Sequence, residues 1–386
     1  MKKLFSTFLA VLLSLVMLFS VTACDDTPKP DPDTENPPID GDGDGDNGSG
    51  DEEVFSKELE FTLNEDGESY SVTGSEKCKD SEILIPKKYE GLPVTSIGYY
   101  AFGACKATSI TIPDSITSIG DTVFMYCDNL TSLTIPSSVT SIGSSAFSKC
   151  GLTSITIPDS VTSLGSSVFS SSNKLTTVTL SNSLTSVPEF AFMNCTGLKS
   201  ITIPDSMKTI GTRAFQDCSS LSSVSIGSGV TFIQQGAFFN CTSLTSIAIP
   251  DNVTSMEDDV FSGCSGLTSA TIPGSLKSIE GWMFKNCSSL TSIEISEGVT
   301  SIGSYAFSNC SSLANITIPS TVTSISSNAF KDCSSLTSVT FANTEGWKVS
   351  RTSINIDLKS SNLSDPATAA EYLNSTYLEF IWKRSK

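Results

Sequence analysis

Apolar residues recur along most of the chain with a period of 22 or 23 residues. An aliphatic residue or Met stands five positions before the most regular marker, a Phe, and Cys stands three positions after it except at Ser172. A period of this length with apolar residues at fixed offsets indicates a solenoid, in which each unit buries its apolar edge only by stacking on its neighbours. The marker fills eleven successive units: Phe102, Phe124, Phe147, Phe169, Phe192, Phe215, Phe238, Phe261, Phe284, Phe307 and Phe330.

Each unit predicts three local elements. The stretch "SITI" alternates polar and apolar residues, which is typical of a strand, and the Pro that follows it in most units has no N–H to continue a ladder. The stretch "VTSIG" predicts a second, shorter extended segment, and its Gly is expected to permit a turn into a short helical segment such as "SSAFSKC" (144–150). The pattern therefore predicts an α/β leucine-rich-repeat solenoid with about eleven coils. Its parallel inner sheet would be roughly 50 Å wide at about 4.8 Å per strand, with the extended and helical turns on the convex side.

The first residues predict export. Lys2 and Lys3 precede an apolar run over 4–21, and small residues follow it, which is the order of a secretory signal. The run ends in "VTAC" (21–24), which resembles the bacterial lipobox, so residues 1–23 are predicted to be a lipoprotein signal peptide and Cys24 the lipid-attachment residue. The alternative is a plain signal peptide with an incidental Cys. A chain anchored in this way would lie at the bacterial cell envelope, and we expect it to be exposed at the surface.

Residues 24–54 are rich in Pro, Gly and Asp and nearly free of apolar side chains, so we predict an acidic disordered tether. Four carboxylates in this tether match ligand positions of a calcium loop, namely Asp40, Asp42, Asp44 and Asp51. The match is weak because the twelfth position is Asp rather than Glu and neither flank is typical of a helix. A solvated tether without calcium is the favoured interpretation, and no metal or cofactor is predicted elsewhere.

The amino-acid composition argues against two classes of function. The chain has no His, so the usual acid–base side chain at neutral pH is missing. Its 23 Lys and Arg are outnumbered by 41 Asp and Glu, which gives a formal net charge of −18, so no basic surface is expected that would neutralise phosphates. We therefore expect neither an enzyme nor a nucleic-acid-binding protein. A monomer is expected.

The repeat and its flanks resemble a known family. The unit is close to "LTSITIPDSVTSIGSSAFSNC" and resembles the BspA-like leucine-rich repeats of bacterial surface lipoproteins. Residues 55–95 resemble that family's N-terminal cap, residues 96–342 its repeats, and residues 343–386, with "GWKVS" and "DPATAAEYLNSTYLEFIWKR", its C-terminal cap. The resemblance implies attachment to proteins or other cells from the surface, and it supplies no catalytic or ligand residues. In the C-terminal cap, Asp365 and Pro366 predict the start of a helix whose Ala370, Leu373 and Tyr377 face inward.

Two columns of side chains leave alternatives open. The Cys column, from Cys105 to Cys333 with Cys78 in the cap, could form disulfides in an exported protein, but its fixed offset in an apolar pattern favours free buried thiols. Aromatic residues three positions after the aliphatic marker could pack between the turns or contact a ligand. They are Tyr100, Phe190, Trp282 and Tyr305.

The favoured function is a lipid-anchored surface module that binds a protein or another cell-surface ligand. The alternative is a structural, ice-binding or mineral-binding solenoid, which the Ser-x-Thr ladder that begins at Ser109 and Thr111 would suit. A binding site that needs more than hydroxyl groups must use exceptions to that ladder, and these concentrate late in the array. The predicted partner-binding patch consists of Thr271, Ser292, Glu294, Asn315 and Thr317. The alternative is neutral variation among exposed strand residues.

Overall fold

The computed structural model describes residues 55–75 and 79–385. Within them the chain forms a parallel β-solenoid of about twelve coils, most of them with two short strands and a pair of turns, and very little helix. The predicted fold class is therefore confirmed. The strands of the first kind in each coil, which we call the first ladder, are β3 (Glu82–Leu84), β6 (Ser109–Thr111), β9 (Ser154–Thr156), β11 (Thr177–Thr179), β13 (Ser200–Ile203), β15 (Ser223–Ile226), β17 (Ser246–Ala248), β19 (Ser269–Ile272), β21 (Ser292–Ile295), β23 (Asn315–Ile318) and β25 (Ser338–Phe341).

The second ladder consists of shorter strands that follow the first by a few residues. They are β5 (Leu92–Ile97), β7 (Ser118–Ile119), β8 (Ser141–Ile142), β10 (Ser163–Leu164), β12 (Ser186–Val187), β14 (Thr209–Ile210), β16 (Phe232–Ile233), β18 (Ser255–Met256), β20 (Ser278–Ile279), β22 (Ser301–Ile302) and β24 (Ser324–Ile325). Each ladder is divided into several shorter sheets, and within each sheet the neighbouring strands of the ladder pair in parallel and in register, so that Ser154 lies beside Thr177 and Ile210 beside Ile233. Equivalent residues of successive coils thus form straight columns.

Hydroxyl side chains hold neighbouring coils together. One column of Thr lies just before the second ladder, where the Thr140 hydroxyl donates to the Thr117 carbonyl of the preceding coil at 3.2 Å, and Thr117 donates to Thr95 at 3.1 Å. A similar column precedes the first ladder, where Thr176 donates to the Thr153 carbonyl at 2.9 Å. Part of the Ser and Thr content is therefore structural.

The segment predicted to be helical instead forms two consecutive turns around each Phe. In the coil of Phe307 the two flanking residues, Tyr305 and Asn309, have φ values of 57° and 61°. Each of the eleven coils that carry the Phe has a positive φ at both of these positions, two residues before and two residues after it. A right-handed helix cannot accommodate such residues, so the helical prediction for this segment was wrong. We call this segment the double turn.

The glycines after the second ladder have a different role from the one predicted. The residues with positive φ come two positions later, and Gly143 and Gly165 are not among them. A Cβ atom on Gly165 would lie 2.2 Å from the Ser144 backbone nitrogen of the preceding coil. Glycine here permits close contact between coils rather than an unusual backbone conformation.

The core is a stack of aromatic rings and thiols. The Phe rings of successive coils are nearly parallel, with centroids 5.2 to 5.6 Å apart through all ten adjacent pairs. In most coils the Cys thiol three positions after the Phe donates to the Phe carbonyl of the preceding coil; the Cys241 Sγ lies 3.2 Å from the Phe215 oxygen. The coils are thus joined inside as well as along the ladders.

Irregular elements cover both ends of the solenoid. At the N-terminal end, β1 (Glu60–Leu63) and β2 (Tyr70–Gly74) form a hairpin that pairs with β5, and β4 (Lys88–Tyr89) pairs antiparallel with the start of β5. At the C-terminal end, β28 (Ile381–Arg384) pairs antiparallel to β24 and to β26 (Trp347–Arg351), which pairs with β27 (Ile354–Asp357). The helices α1 (Ser360–Leu363) and α2 (Pro366–Glu371) lie between β27 and β28, and a π-helical turn over Tyr372–Thr376 follows α2.

The predicted start of the helix in the C-terminal cap is confirmed, but α2 ends at Glu371, so Leu373 lies in the π-helical turn and Tyr377 after it. The Asp365 carboxylate caps α2 by accepting from the Thr368 backbone N–H at 3.0 Å, and Pro366 is the first helical residue. Ala370 and Leu373 are buried, and Tyr377 packs against the core. This helix contacts β25 and closes the last coil of the first ladder.

Candidate functional site

The five residues of the predicted patch lie on three consecutive strands of the first ladder, β19, β21 and β23. Thr271 pairs with Glu294 in the parallel register of β19 and β21, and β23 lies against β21. The alternation of each strand turns Ile295 and Ile316 into the core and leaves the residues on either side outward. The structure therefore brings together the residues that the sequence selected.

All five side chains are exposed: Thr271, Ser292, Glu294, Asn315 and Thr317. None of them donates or accepts a side-chain hydrogen bond to any other described residue. This contrasts with the Thr columns beside the ladders, whose hydroxyls bond to the neighbouring coil. The polar groups of the patch are consequently available to a partner.

The patch is chemically unlike the rest of its ladder. Outward residues there are almost all Ser or Thr, and Glu294 is the one carboxylate in its own column from Leu84 to Thr340. Asn315 is likewise the one amide in the neighbouring column from Glu82 to Ser338. A surface that combines a carboxylate, an amide and hydroxyls can accept and donate hydrogen bonds with defined geometry.

Glu297 serves a different purpose, although the sequence gives it as a second acidic exception beside Glu294. Its carboxylate accepts from the backbone N–H groups of Ser320 at 2.9 Å and Thr321 at 3.1 Å in the next coil, and from the Ser320 hydroxyl at 3.0 Å. The bond from the Ser320 backbone N–H is the main reason that the pKa of Glu297 is lowered from its ordinary value. Glu297 is a link between coils.

Sequence reasoning missed the alternation to which Glu297 belongs. Acidic residues occupy this corner of every second coil, and Asp159 and Asp205 accept a backbone N–H of the next coil just as Glu297 does. Placing the acids two coils apart separates like charges by roughly 10 Å along the solenoid axis. The signal was present in the sequence as Asp114, Asp159, Asp205, Asp251 and Glu297.

The cysteines are free thiols in the structure from Cys105 to Cys333, and all of these except Cys105 are buried. Burial raises the pKa of Cys195 and of Cys264 to about 12. Ser172, which replaces Cys in one coil, makes the same bond to a Phe carbonyl, with 2.6 Å between its Oγ and the Phe147 oxygen. The position thus accepts either small donor. Cys78 lies outside the described residues.

The members of the aromatic column pack in different ways. The Tyr100 ring packs over its own turn, since a Cβ atom on Gly103 would lie 2.2 Å from it. Trp282 and Tyr305 stack on each other in adjacent coils, with centroids 6.2 Å apart. Among the members of this column, only these two form a pair that extends over two coils.

Several predictions concern residues outside the described part of the chain, namely the signal peptide, Cys24 and the candidate calcium residues Asp40, Asp42, Asp44 and Asp51. Between residues 55 and 385, apart from 76–78, no three His, Cys, Asp or Glu side chains are grouped so that they could hold a metal ion. Over the same residues no helix has both the length and the apolarity needed to cross a membrane.

The family relationship is clear from the repeats. The family described as "BspA type Leucine rich repeat region (6 copies)" matches residues 95–222, 165–290 and 214–337, which together span more than half of the chain. The protein therefore belongs to the BspA-type leucine-rich repeat family, as the sequence resemblance implied. None of the curated proteins matched the chain.

Solved structures of bacterial leucine-rich repeat proteins are similar to this chain. A leucine-rich repeat protein from Bacteroides ovatus is 26% identical with a TM-score of 0.58, over 75% of this chain and 88% of that one. A leucine rich cell surface protein from Faecalibacterium prausnitzii is 30% identical with a TM-score of 0.44, over 76% of this chain and 95% of that one. The first of these supports the solenoid fold.

Proposed function

We propose that the protein is a surface-displayed binding module, anchored through a lipid on Cys24 and held away from the membrane by the tether over 24–54. BspA-type repeat proteins have a protein-interaction or adhesion role in general, and this supports binding rather than catalysis. The solenoid presents a long regular surface on which a partner can dock without any bound cofactor. The partner in this proposal is a protein or another ligand on a neighbouring cell.

The observation that carries the proposal is the patch on β19, β21 and β23. Five exposed polar side chains without side-chain hydrogen bonds to other described residues meet there, and they include Glu294, the one carboxylate of its column. An exposed carboxylate with no such bond contributes little to folding, which leaves Glu294 free to bind a partner. We assign the primary binding surface to this patch.

The same argument ranks the alternative of ice or mineral binding lower. A flat lattice of hydroxyls requires an unbroken column, and the column of Thr and Ser in the first ladder is interrupted at Ala248 and Glu294. An ice-recrystallisation assay on the purified chain separates the two functions. We expect no inhibition of crystal growth.

The binding function is tested by a pull-down. The purified chain is immobilised and incubated with solubilised surface material of host cells, and captured proteins are identified by mass spectrometry. We expect the double variant Glu294→Thr and Asn315→Ser to capture much less of the partner at unchanged melting temperature. Glu82→Thr is the matched control because it removes a carboxylate from the other end of the same ladder, and equal capture by the double variant and this control would remove the patch from consideration.

Anchoring is tested separately by metabolic labelling with a fatty-acid analogue. We expect label on the wild-type protein and none on Cys24→Ala, which should also retain its signal peptide. Absence of label from the wild-type protein would end the anchoring proposal and would leave the binding surface untouched.

A further inference from the structure

Trp282 and Tyr305 occupy a position at which the backbone is left-handed. They are the first left-handed residues of their double turns, with φ values of 55° and 57°. Small or polar residues tolerate this conformation best, and other coils place Gly236 and Asn328 there. The position also accepts large side chains, as Arg213 shows, so the local backbone does not itself select an aromatic residue.

Burial in the core does not explain these two aromatic side chains either. The Trp282 side chain remains 37% exposed, and its ring is nearly parallel to that of Tyr305, at 9°. The core beneath already has its continuous Phe stack, which Phe284 and Phe307 continue without help from these rings. Trp282 is exposed and Tyr305 is half-buried, so the stacked pair presents part of its aromatic surface on two adjacent coils, which suits contact with another molecule.

The charged residues around the aromatic pair determine whether it would bind a cation or an anion. In the coil before Trp282 the equivalent position is Asp259, and Asp258 is the residue before Asp259. Glu280 lies two residues before Trp282 in its own coil. The Asp258 Oδ1 atom would be 3.1 Å from a Cβ atom on Gly281, which places this carboxylate beside the backbone next to Trp282.

The pKa of Asp259 depends on the charged residues around it. Burial and Asp258 raise its pKa, while Lys285, a hydrogen bond from Gln235 and Arg213 act in the opposite direction, and the net shift is upward. Asp258 and Asp259 thus form an acidic pair on the coil before the aromatic pair, and Lys285 is the base that acts on Asp259 from the next coil. The surroundings of the aromatic pair therefore favour a cation.

The protein contains one contact between a cationic side chain and an aromatic ring on another double turn. The Lys149 ammonium lies 4.7 Å from the ring centroid of Tyr126 and donates to the Tyr126 hydroxyl at 3.1 Å. Tyr126 is 39% exposed, nearly the same as Trp282. An exposed aromatic ring on this part of a coil can thus bind a cationic side chain, and Trp282 has carboxylates around it.

We propose that Trp282 and Tyr305 bind a basic side chain of a protein partner, with Asp258 and Glu280 as counter-charges. Arginine fits best because its planar guanidinium stacks on an aromatic face and is more weakly hydrated than an ammonium group. The site lies on the double turns and is separate from the patch on β19, β21 and β23. The proposal specifies a basic side chain on the partner and does not depend on that patch.

The test uses the full chain purified in detergent and a fluorescein-labelled hexa-arginine peptide, with affinity measured by fluorescence anisotropy at physiological salt. We expect Trp282→Ala to weaken binding at least about fivefold with no change in net charge, and Trp282→Phe to retain most of the affinity. Tyr126→Ala is the matched control, since it removes an equally exposed ring that a lysine already covers, and it should leave the affinity unchanged.

A pair of charge variants separates the site from the general acidity of the chain. Asp258→Asn with Glu280→Gln should weaken binding more than Asp251→Asn with Glu345→Gln, which removes the same charge elsewhere. Equal binding by wild type and Trp282→Ala, or equal losses in the two charge variants, would overturn the proposal. Glu294→Thr with Asn315→Ser should bind the peptide as wild type does, so this proposal and the first-ladder patch can fail independently.

Discussion

Replacing one thiol of the Cys column tests how the coils are joined. Cys241 is fully buried, and its Sγ donates to the Phe215 carbonyl at 3.2 Å. Cys241→Ala removes a buried atom about the size of a methylene and the hydrogen bond, which together should cost about 1 to 2 kcal/mol. Cys241→Ser keeps a donor of nearly the same size, and we expect it to cost about 0.5 to 1 kcal/mol less than the Ala variant.

The prediction for Ser rests on Ser172, whose hydroxyl already makes this bond in its own coil. Ser172→Ala should therefore destabilise the protein as Cys241→Ala does, and it serves as the matched control. Urea unfolding followed by circular dichroism, with and without reductant, gives the ranking. A Ser variant less stable than the Ala variant would refute the role of the hydrogen bond, and a wild-type midpoint that falls on adding reductant would show that disulfides contribute.

Two further predictions follow from ionisable groups. Burial raises the pKa of the column thiols from the ordinary value of 9.0 to about 12 in Cys195, Cys264 and Cys333. The contribution of these thiols to the free energy of unfolding is therefore complete below about pH 9 and is lost as the pH rises toward 12. The loss is about 1.36 kcal/mol per pH unit for each buried thiol that the unfolded chain deprotonates. Circular dichroism should show cooperative unfolding soon above pH 9, and a signal independent of pH up to about 11 would contradict this. Glu297→Gln should lower the melting temperature because it weakens the acceptor for Ser320, whereas Glu294→Gln should leave it unchanged; equal melting of the two variants would show that the bond between coils is not stabilising.

Much of this fold could be predicted because the period itself carries the information. The Phe and aliphatic markers determine that equivalent residues stack, and the alternation in "SITI" determines which side chains of β9 or β23 face out. From these two facts the contiguity of Thr271, Glu294 and Asn315 follows. The C-terminal helix was predictable for a local reason, namely the Asp365 cap and Pro366 at the first helical position.

The double turn was not predictable in the same way. Ala, Phe and Ser around Phe147 are compatible with a helix by propensity, and only the geometry of the coil imposes positive φ at Ser145 and Lys149. A weak signal exists in the Asn, Asp and Gly residues that fill the second of these positions in later coils, such as Asn194, Asp217 and Gly263. Recognising it requires comparison of coils rather than inspection of one.

The bonds between coils were equally hidden. Glu294 and Glu297 are indistinguishable by residue type, yet Glu297 accepts three hydrogen bonds, and Glu294 makes no side-chain hydrogen bond to any residue that the structure describes. The difference depends on position: Glu294 points out of a strand, while Glu297 lies at the corner where the next coil offers backbone N–H groups. A carboxylate becomes a candidate for binding only when such structural uses are excluded.

The binding of a captured partner to intact cells tests the central claim most directly, because it requires both display at the surface and a working site. Cells carrying the wild-type protein should bind the labelled partner saturably, and cells carrying Glu294→Thr with Asn315→Ser, displayed at the same level, should bind it at least about tenfold more weakly, the equivalent of about 1.4 kcal/mol. Wild-type cells that bind no more partner than cells lacking the protein would contradict the account.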